Sequence, residues 1–470
     1  LGSFNSFFSY NSLYILNEYG FFNNKHLNFL IFCSNFGVDK MVVIMLRLVL
    51  LYATSTGLQR GTIFLASLIF TRVFTISEIG FYILVQTISQ LLVPIITLNL
   101  TVALMREAKV NQQITKKLLI YSTSGVSFLF FCILATELFL GLSNEIAFGL
   151  LLGAVEAIFY LAFAVLQGKE HVNQILIVST AKTLGFIAII TSSFCGYTSL
   201  KQVLELQIML GILINIGALN FAFRQLSGRS EGAESIEIKE ILKYSMATLP
   251  HTAALWISVS SDRILLGMLQ GNKAIGIYGI AFTIAQIVLL LVTGVTTSLP
   301  PRIMQDPQMW RNSKFVVKMA RQIALVLFAV IILLLIGWRL NEVFFHLIPT
   351  RDPVIYMLIA LIGVAFSFSI YYVFFASYMY LNRKTGALSY LGLGIGTVNF
   401  LIMYLLVYSF GSVGAAVGLI CSYTLFGAAY GVVAMRLEPT LRGACVPLMQ
   451  LSTLFLLSLI IFTCFVQYLF

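Results

Sequence analysis

Twelve apolar runs, each long enough to cross a bilayer as a helix, alternate with short polar breaks between residues 46 and 435. They lie near 46–70, 79–104, 118–141, 146–167, 173–195, 203–224, 246–269, 276–299, 319–338, 354–380, 386–408 and 413–435. The hydrocarbon core of a bilayer takes about 20 apolar residues per helix. A helix satisfies its own backbone hydrogen bonds in oil, so a chain patterned this way is expected to form a helical membrane bundle. Only 10% of the residues are charged, against roughly 25% in a soluble domain. The expected fold class is all-α and polytopic, and a further apolar run at 446–469 would extend twelve transmembrane helices to thirteen or fourteen.

Direction follows from the basic residues. With the N-terminus inside, the breaks facing the cytoplasm collect Arg106, Lys109, Lys116 and Lys117 after the second run, and Arg302, Arg311, Lys314 and Lys318 after the eighth. No break on the other side holds more than two Lys or Arg. This is the positive-inside pattern. It accounts for the net charge of +11 through anionic lipid rather than nucleic acid.

A sentence is written twice. Ile79, Gly80, Tyr82, Thr87, Ile88 and Gln90 recur as Ile275, Gly276, Tyr278, Thr283, Ile284 and Gln286, each 196 residues on. Six runs separate the copies, and an even number returns the chain to the same side. The spacing predicts two six-helix lobes related by an axis along the membrane normal, as in parallel-repeat transporters. The boundaries read as an N-lobe at 41–224, a cytoplasmic linker at 225–243, a C-lobe at 244–437 and a tail at 438–470. Residues 1–40, rich in Asn and Phe, show no sustained periodicity, and a normal-looking start follows at Met41. They are expected to be upstream sequence outside the working protein or a disordered tail.

Charges inside apolar runs are costly unless they meet a partner or a cavity. Arg60 lies in the first run, Glu156 in the fourth, Lys182 in the fifth, and Asp262 with Arg263 in the seventh. Neighbouring side chains on a helix start about 100° apart, so Asp262 and Arg263 are expected to find separate targets. Glu156 and Lys182 lie on adjacent runs. They read either as a structural ion pair or as a proton-accepting acid beside a cavity-lining cation. Arg60, Lys182 and Arg263 together suit an anionic cargo such as a pyrophosphate, which a guanidinium binds through its planar fork. Gln59, Gln86, Gln90, Gln286 and Asn99 offer neutral hydrogen bonds to a hydroxyl-rich cargo, or serve as interhelical contacts. Pro250, at the start of the seventh run, is expected to bend or unwind its first turns and act as a hinge. Gly414 and Gly418 stand at Gly-x-x-x-Gly spacing and read as packing positions.

The stretch from Leu249 to Ile287, with its Asp-Arg pair followed by Gly-x-Tyr, resembles the polysaccharide-unit flippases, the O-antigen (Wzx-type) transporters of the multidrug/oligosaccharidyl-lipid/polysaccharide exporter superfamily. "NFLIMYLLVYSFGSVGAAVGLICSY" and "LIFTRVFTISEIGFYILVQ" are similar to other parts of that family. The resemblance implies transfer of an undecaprenyl-pyrophosphate-linked oligosaccharide across a bacterial inner membrane, with the N-terminus cytoplasmic. It implies coupling to H+ or Na+ and no cofactor. A polysaccharide polymerase and glycosyltransferases of the same pathway would be partners. The Asp-Arg motif carries over to Asp262 and Arg263.

Other classes fit less well. The sequence contains no Walker motif and no His-Glu-x-x-His, so the expectation is a transporter and not an enzyme. A multidrug antiporter for organic cations calls for an acidic cavity. A polymerase or ligase of lipid-linked sugars calls for a large outer loop. The six cysteines are scattered without a Cys-x-x-Cys pair, which implies neither a disulfide framework nor a zinc site.

Overall fold

Polar breaks in the sequence become helix ends for identifiable reasons. In the computed structural model, Thr75 caps the helix after it: its hydroxyl accepts from the Glu78 backbone N–H, and the Glu78 carboxylate accepts from the Thr75 N–H at 2.8 Å. Ser199 and Gln202 repeat this reciprocal cap before another helix. Both are the Ser/Thr-x-x-Glu/Gln pattern that satisfies two orphan backbone donors. The structure describes residues 69–437 and 439, apart from 141–143, 170, 197–198, 227–237, 306–312, 343–351 and 382–384. All of them belong to one unit, Ser55–Phe470. The expectations for residues 1–40, Gln59, Arg60 and 446–469 lie outside the described residues.

A first group of helices comprises α1 Ile76–Ile96, α2 Leu100–Val110, α3 Gln112–Leu140, α4 Asn144–Gly168, α5 Val172–Phe194 and α6 Leu200–Gln225. A second comprises α7 Ile238–Gln270, α8 Asn272–Gln305, α9 Ser313–Leu340, α10 Pro353–Leu381 and α11 Thr385–Leu437. Among the described residues there is no strand. Eight of the helices are long and apolar enough to cross a bilayer. α7 is more polar along its length, with Pro250, His251, Asp262, Arg263 and several serines and threonines among its apolar residues. α11 counts once although it holds two apolar runs, bent at Gly411 with φ 58° and ψ −133°. Past the bend, Gly414 lies against the Leu406 backbone and Gly418 against Met403, so the two limbs fold back on each other through these glycines.

Two of the helix bounds correct the sequence reading. α7 begins at Ile238, inside the expected linker, so Pro250 sits more than three turns into a helix that runs through it. The second apolar run is two helices, not one. Pro94 lacks an N–H, and Leu98 and Asn99 take the left-handed conformation at φ 49° and 55°. The Asn99 N–H then reaches back to the Pro94 carbonyl at 2.8 Å. Thr97 and Asn99 are buried at this break, which fits the rule that irregular backbone at membrane depth must be buried in protein or line a wet cavity.

Two large apolar cores lie mainly in one group each, although Ile241 of α7 is buried in the first and Ile83 and Leu84 of α1 pack on the second. In the first, α4 is central, with Ala157, Leu161 and Val165 packed among Leu104, Leu119, Val178 and Ala222. In the second, Tyr278, Ile331, Ile359, Phe366 and Leu419 converge from α8, α9, α10 and α11. α1 packs on α4, and α8 packs on α10. Phe128, Phe131, Leu213, Ile216 and Leu405 stand exposed on the outer helices, where lipid takes the place of water.

The two copies of the repeat meet each other. A Cβ on Gly80 would strike the Asn272 carbonyl, and a Cβ on Gly276 would strike the Ile76 carbonyl. Residues 76 and 272 are also 196 apart, so each contact is the image of the other. Gly279 faces Ile83, its own equivalent, and both cannot be bulky where a chain meets its image. α1 and α8 therefore cross backbone to backbone with pseudo-twofold geometry.

Gly80→Ala and Gly276→Ala should each destabilise the purified protein by about 1–3 kcal/mol, as overpacking does. Gly217→Ala, with nothing within 4 Å of the added carbon, should be neutral or stabilising. Thermal unfolding in detergent would show the difference.

Candidate functional site

Each repeated tyrosine stands beside an acid–base pair. On α1, Tyr82, Gln86 and Gln90 are four residues apart and share a face. The Tyr82 hydroxyl donates to Gln207 Oε1 of α6 at 3.4 Å, and Gln86 Nε2 donates to the same oxygen at 3.1 Å. Gln90 is exposed. Glu156 stands on α4, the helix that α1 packs against. Its carboxylate receives Lys182 of α5, whose Nζ is 2.7 Å from both oxygens. Lys182 also lies 4.2 Å over the ring of Phe159, one turn along α4 from Glu156, so the ammonium has both a counter-charge and a π face. The pair is not shut away, with side-chain exposures of 24% for Lys182 and 18% for Glu156.

The second lobe builds its pair differently. Tyr278, Phe282 and Gln286 occupy the equivalent face of α8. Tyr278 donates to Asp262 Oδ2 at 2.5 Å. The other oxygen, Oδ1, accepts from the Arg263 backbone N–H at 2.8 Å and from Arg263 Nε at 3.3 Å. Arg263 Nη2 donates to the Val259 carbonyl at 3.0 Å, and the guanidinium lies 4.0 Å from the centre of the Phe282 ring. The expectation that Asp262 and Arg263 diverge to separate targets is therefore corrected. Their Cβ atoms do start apart, but the long arginine stem folds back and brings Nε to its neighbour. With side-chain exposures of 8% and 0%, this pair is buried and fully occupied.

Of the expected site residues, the structure thus joins Lys182 to Glu156 and Arg263 to Asp262, as pairs rather than as an open cationic lining. Gln90 and Gln286 hold equivalent places on α1 and α8, two turns beyond the tyrosines. Asn99 Nδ2 donates to Thr252 Oγ1 of α7 at 3.2 Å, so it serves the contact between lobes. The sequence reading left Tyr82, Tyr278, Gln207 and Phe159 without a role. The tyrosines were already visible as fixed members of the repeat, and Gln207 as one of three amides in its apolar run. A cleft of about 250 Å³ lies where α1 and α8 begin, lined by Ser77, Glu78, Phe81, Phe148, Leu200, Lys201 and Asn272. Neither ion pair lines it.

Comparison with known proteins gives a consistent picture. A family model described as polysaccharide biosynthesis protein matches residues 45–305. Among solved structures, the fold is similar to a MOP superfamily transporter from Pyrococcus furiosus whose binding pocket is described as of reverse polarity, with TM-score 0.58 and 12% identity over 84% of this chain and 96% of that one. An outward-facing multidrug resistance MATE family transporter matches with TM-score 0.56 and 13% identity over 87% and 95%. The Vibrio cholerae MATE transporter VcmN, as its D35N mutant, matches with TM-score 0.54 and 15% identity over 84% and 98%. No curated protein matched the chain. These likenesses show the fold.

Asp262→Asn removes the charge that holds Arg263 and should cost about 3–5 kcal/mol, as breaking a buried pair does. Tyr278→Phe removes one hydrogen bond to a charged group and should cost about 1.5–3 kcal/mol. Chemical denaturation of both variants in the same detergent checks this order.

Proposed function

Because the chain belongs to the family of polysaccharide biosynthesis proteins, we propose that this membrane transporter is a flippase for a lipid-linked oligosaccharide. The cargo is an undecaprenyl-pyrophosphate-linked repeat unit, carried from the cytoplasmic to the periplasmic leaflet of a bacterial inner membrane by alternating access. The observation that supports this reading best is the accessible pair Lys182–Glu156 set among uncharged amide and hydroxyl groups. A pyrophosphate and the Glu156 carboxylate compete for one ammonium. Glu156 is thus the residue assigned to ion coupling. Desolvation makes the exchange worthwhile, since an ammonium in low dielectric attracts a diphosphate far more strongly than in water. Tyr82, Gln86, Gln90 and Gln207 then offer hydrogen bonds to sugar hydroxyls. Arg60 and Gln59 are assigned to the same headgroup as further ligands. Arg263, held by Asp262, Val259 and Phe282, is assigned to fixing α7 on α8, a revision of its expected contact with cargo.

The pathway's polymerase and glycosyltransferases remain the expected functional partners. The competing reading, export of organic cations, draws on the multidrug transporters that share the fold. A basic residue at the accessible pair argues against it.

The test uses purified protein in proteoliposomes with a fluorescent undecaprenyl-pyrophosphate disaccharide. Lys182→Met should lower the transfer rate at least about tenfold, equivalent to about 1.4 kcal/mol, while Lys182→Arg keeps much of it. Glu156→Gln should transfer cargo with little dependence on a proton gradient. Full transfer by Lys182→Met would refute the headgroup assignment, and uptake of a cationic dye without sugar-lipid transfer would favour the multidrug reading.

A further inference from the structure

α7 carries a second piece of chemistry, which the cargo site does not use. His251 follows Pro250 and is 6% exposed. Its Nδ1 is 3.2 Å from the Tyr430 hydroxyl of α11, and its Nε2 is 3.3 Å from the Tyr372 hydroxyl of α10. The two tyrosine rings meet edge to face at 5.3 Å, and Phe426 packs on both, at 5.7 Å from Tyr372 and 5.9 Å from Tyr430. Gly392 fits the wall. A Cβ there would come within 2.9 Å of Nδ1 and 3.3 Å of the Tyr430 hydroxyl. Three helices thus converge on one imidazole with both ring nitrogens engaged.

A neutral imidazole has one N–H and one bare nitrogen. One tyrosine therefore donates to it and the other accepts. An imidazolium donates from both nitrogens, so the donating tyrosine must turn its hydroxyl to another acceptor. One proton rewrites the bonds that tie α7 to α10 and α11. The next residue, Thr252, is the one that meets Asn99 in the first lobe, at the bend between α1 and α2. The backbone here is compliant on both sides, because Pro250 removes a helix hydrogen bond and Leu98 and Asn99 hold a left-handed turn.

We propose that His251 is a proton-binding node that sets how the second lobe holds the first at the Asn99–Thr252 contact. Among the described residues, the titratable groups that face it are Tyr372 from α10 and Tyr430 from α11. α8 presents Tyr278 only at Asp262, about 16 Å further along α7. α2 carries Glu107 eight residues beyond Asn99, about 12 Å along its own axis. Through these two hydroxyls the charge on the imidazole reaches α10 and α11.

The experiment needs no cargo, so it stands or falls separately from the flippase reading. Spin labels at Lys117→Cys, at the start of α3, and Arg436→Cys, at the exposed end of α11, report the distance between the two groups in nanodiscs, in a background free of native cysteines. Between about pH 5 and about pH 8, the range in which histidine changes charge, the distance distribution should shift. His251→Gln should give one distribution at both pH values. Tyr372→Phe with Tyr430→Phe should keep the histidine and move the midpoint. Glu156→Gln should leave the step in place. An unshifted distribution in the parent, a retained step in His251→Gln, an unmoved midpoint in the double tyrosine variant or a step lost in Glu156→Gln would each overturn the proposal.

Discussion

A charge in oil must be answered by another group on the protein, and this requirement organises both lobes. Born and hydration costs make an uncompensated carboxylate untenable among apolar helices. Asp262 is answered three times, by Tyr278, by the Arg263 backbone and by the Arg263 side chain. Glu156 is answered by Lys182. Each solution draws helices together, α7 to α8 in one lobe and α4 to α5 in the other. The difference lies in access. The Asp262–Arg263 pair is enclosed, which suits a rivet. The Glu156–Lys182 pair keeps a face open, which suits exchange. One acid–base motif, placed twice beside an equivalent tyrosine, is thus given two physical characters by burial alone.

The crossing of α1 and α8 provides the frame in which that difference matters. Gly80 and Gly276 let the two backbones touch, and Gly279 makes room for Ile83 on the axis itself. Each group keeps most of one apolar core, with Ile241 of α7 buried in the first and Ile83 and Leu84 of α1 packed on the second. The bend at Thr97–Asn99 breaks the symmetry, because α8 runs on without a matching interruption. There Asn99 donates to Thr252 of α7.

Much of this was legible in the residues. Apolar runs and polar breaks located α3 to α6 and α8 to α11 to within several residues, because helices in lipid must be long and apolar. The repeat was readable because identities at fixed spacing survive without any knowledge of contacts. The bend in the second run was not readable. Pro94 is tolerated in membrane helices, and nothing local announces a left-handed Leu98. The Asp262–Arg263 pairing was missed because helical geometry speaks of Cβ directions, whereas a long side chain chooses its own path. The roles of Tyr82 and Gln207 depend on a contact 125 residues apart in sequence, which no periodicity encodes. Pro250 was placed in a first turn because the charged start of α7 looked like loop; its lysines and glutamate extend the helix beyond the apolar run.

The central claim is that a diphosphate displaces the Glu156 carboxylate from the Lys182 ammonium. An experimental structure with an undecaprenyl-pyrophosphate sugar bound in a lipid nanodisc reads this directly. The account predicts a phosphate oxygen about 2.7–2.9 Å from Lys182 Nζ, with Glu156 withdrawn from it. A bound headgroup with Lys182 still clasped to Glu156, and the phosphates held elsewhere, would contradict it.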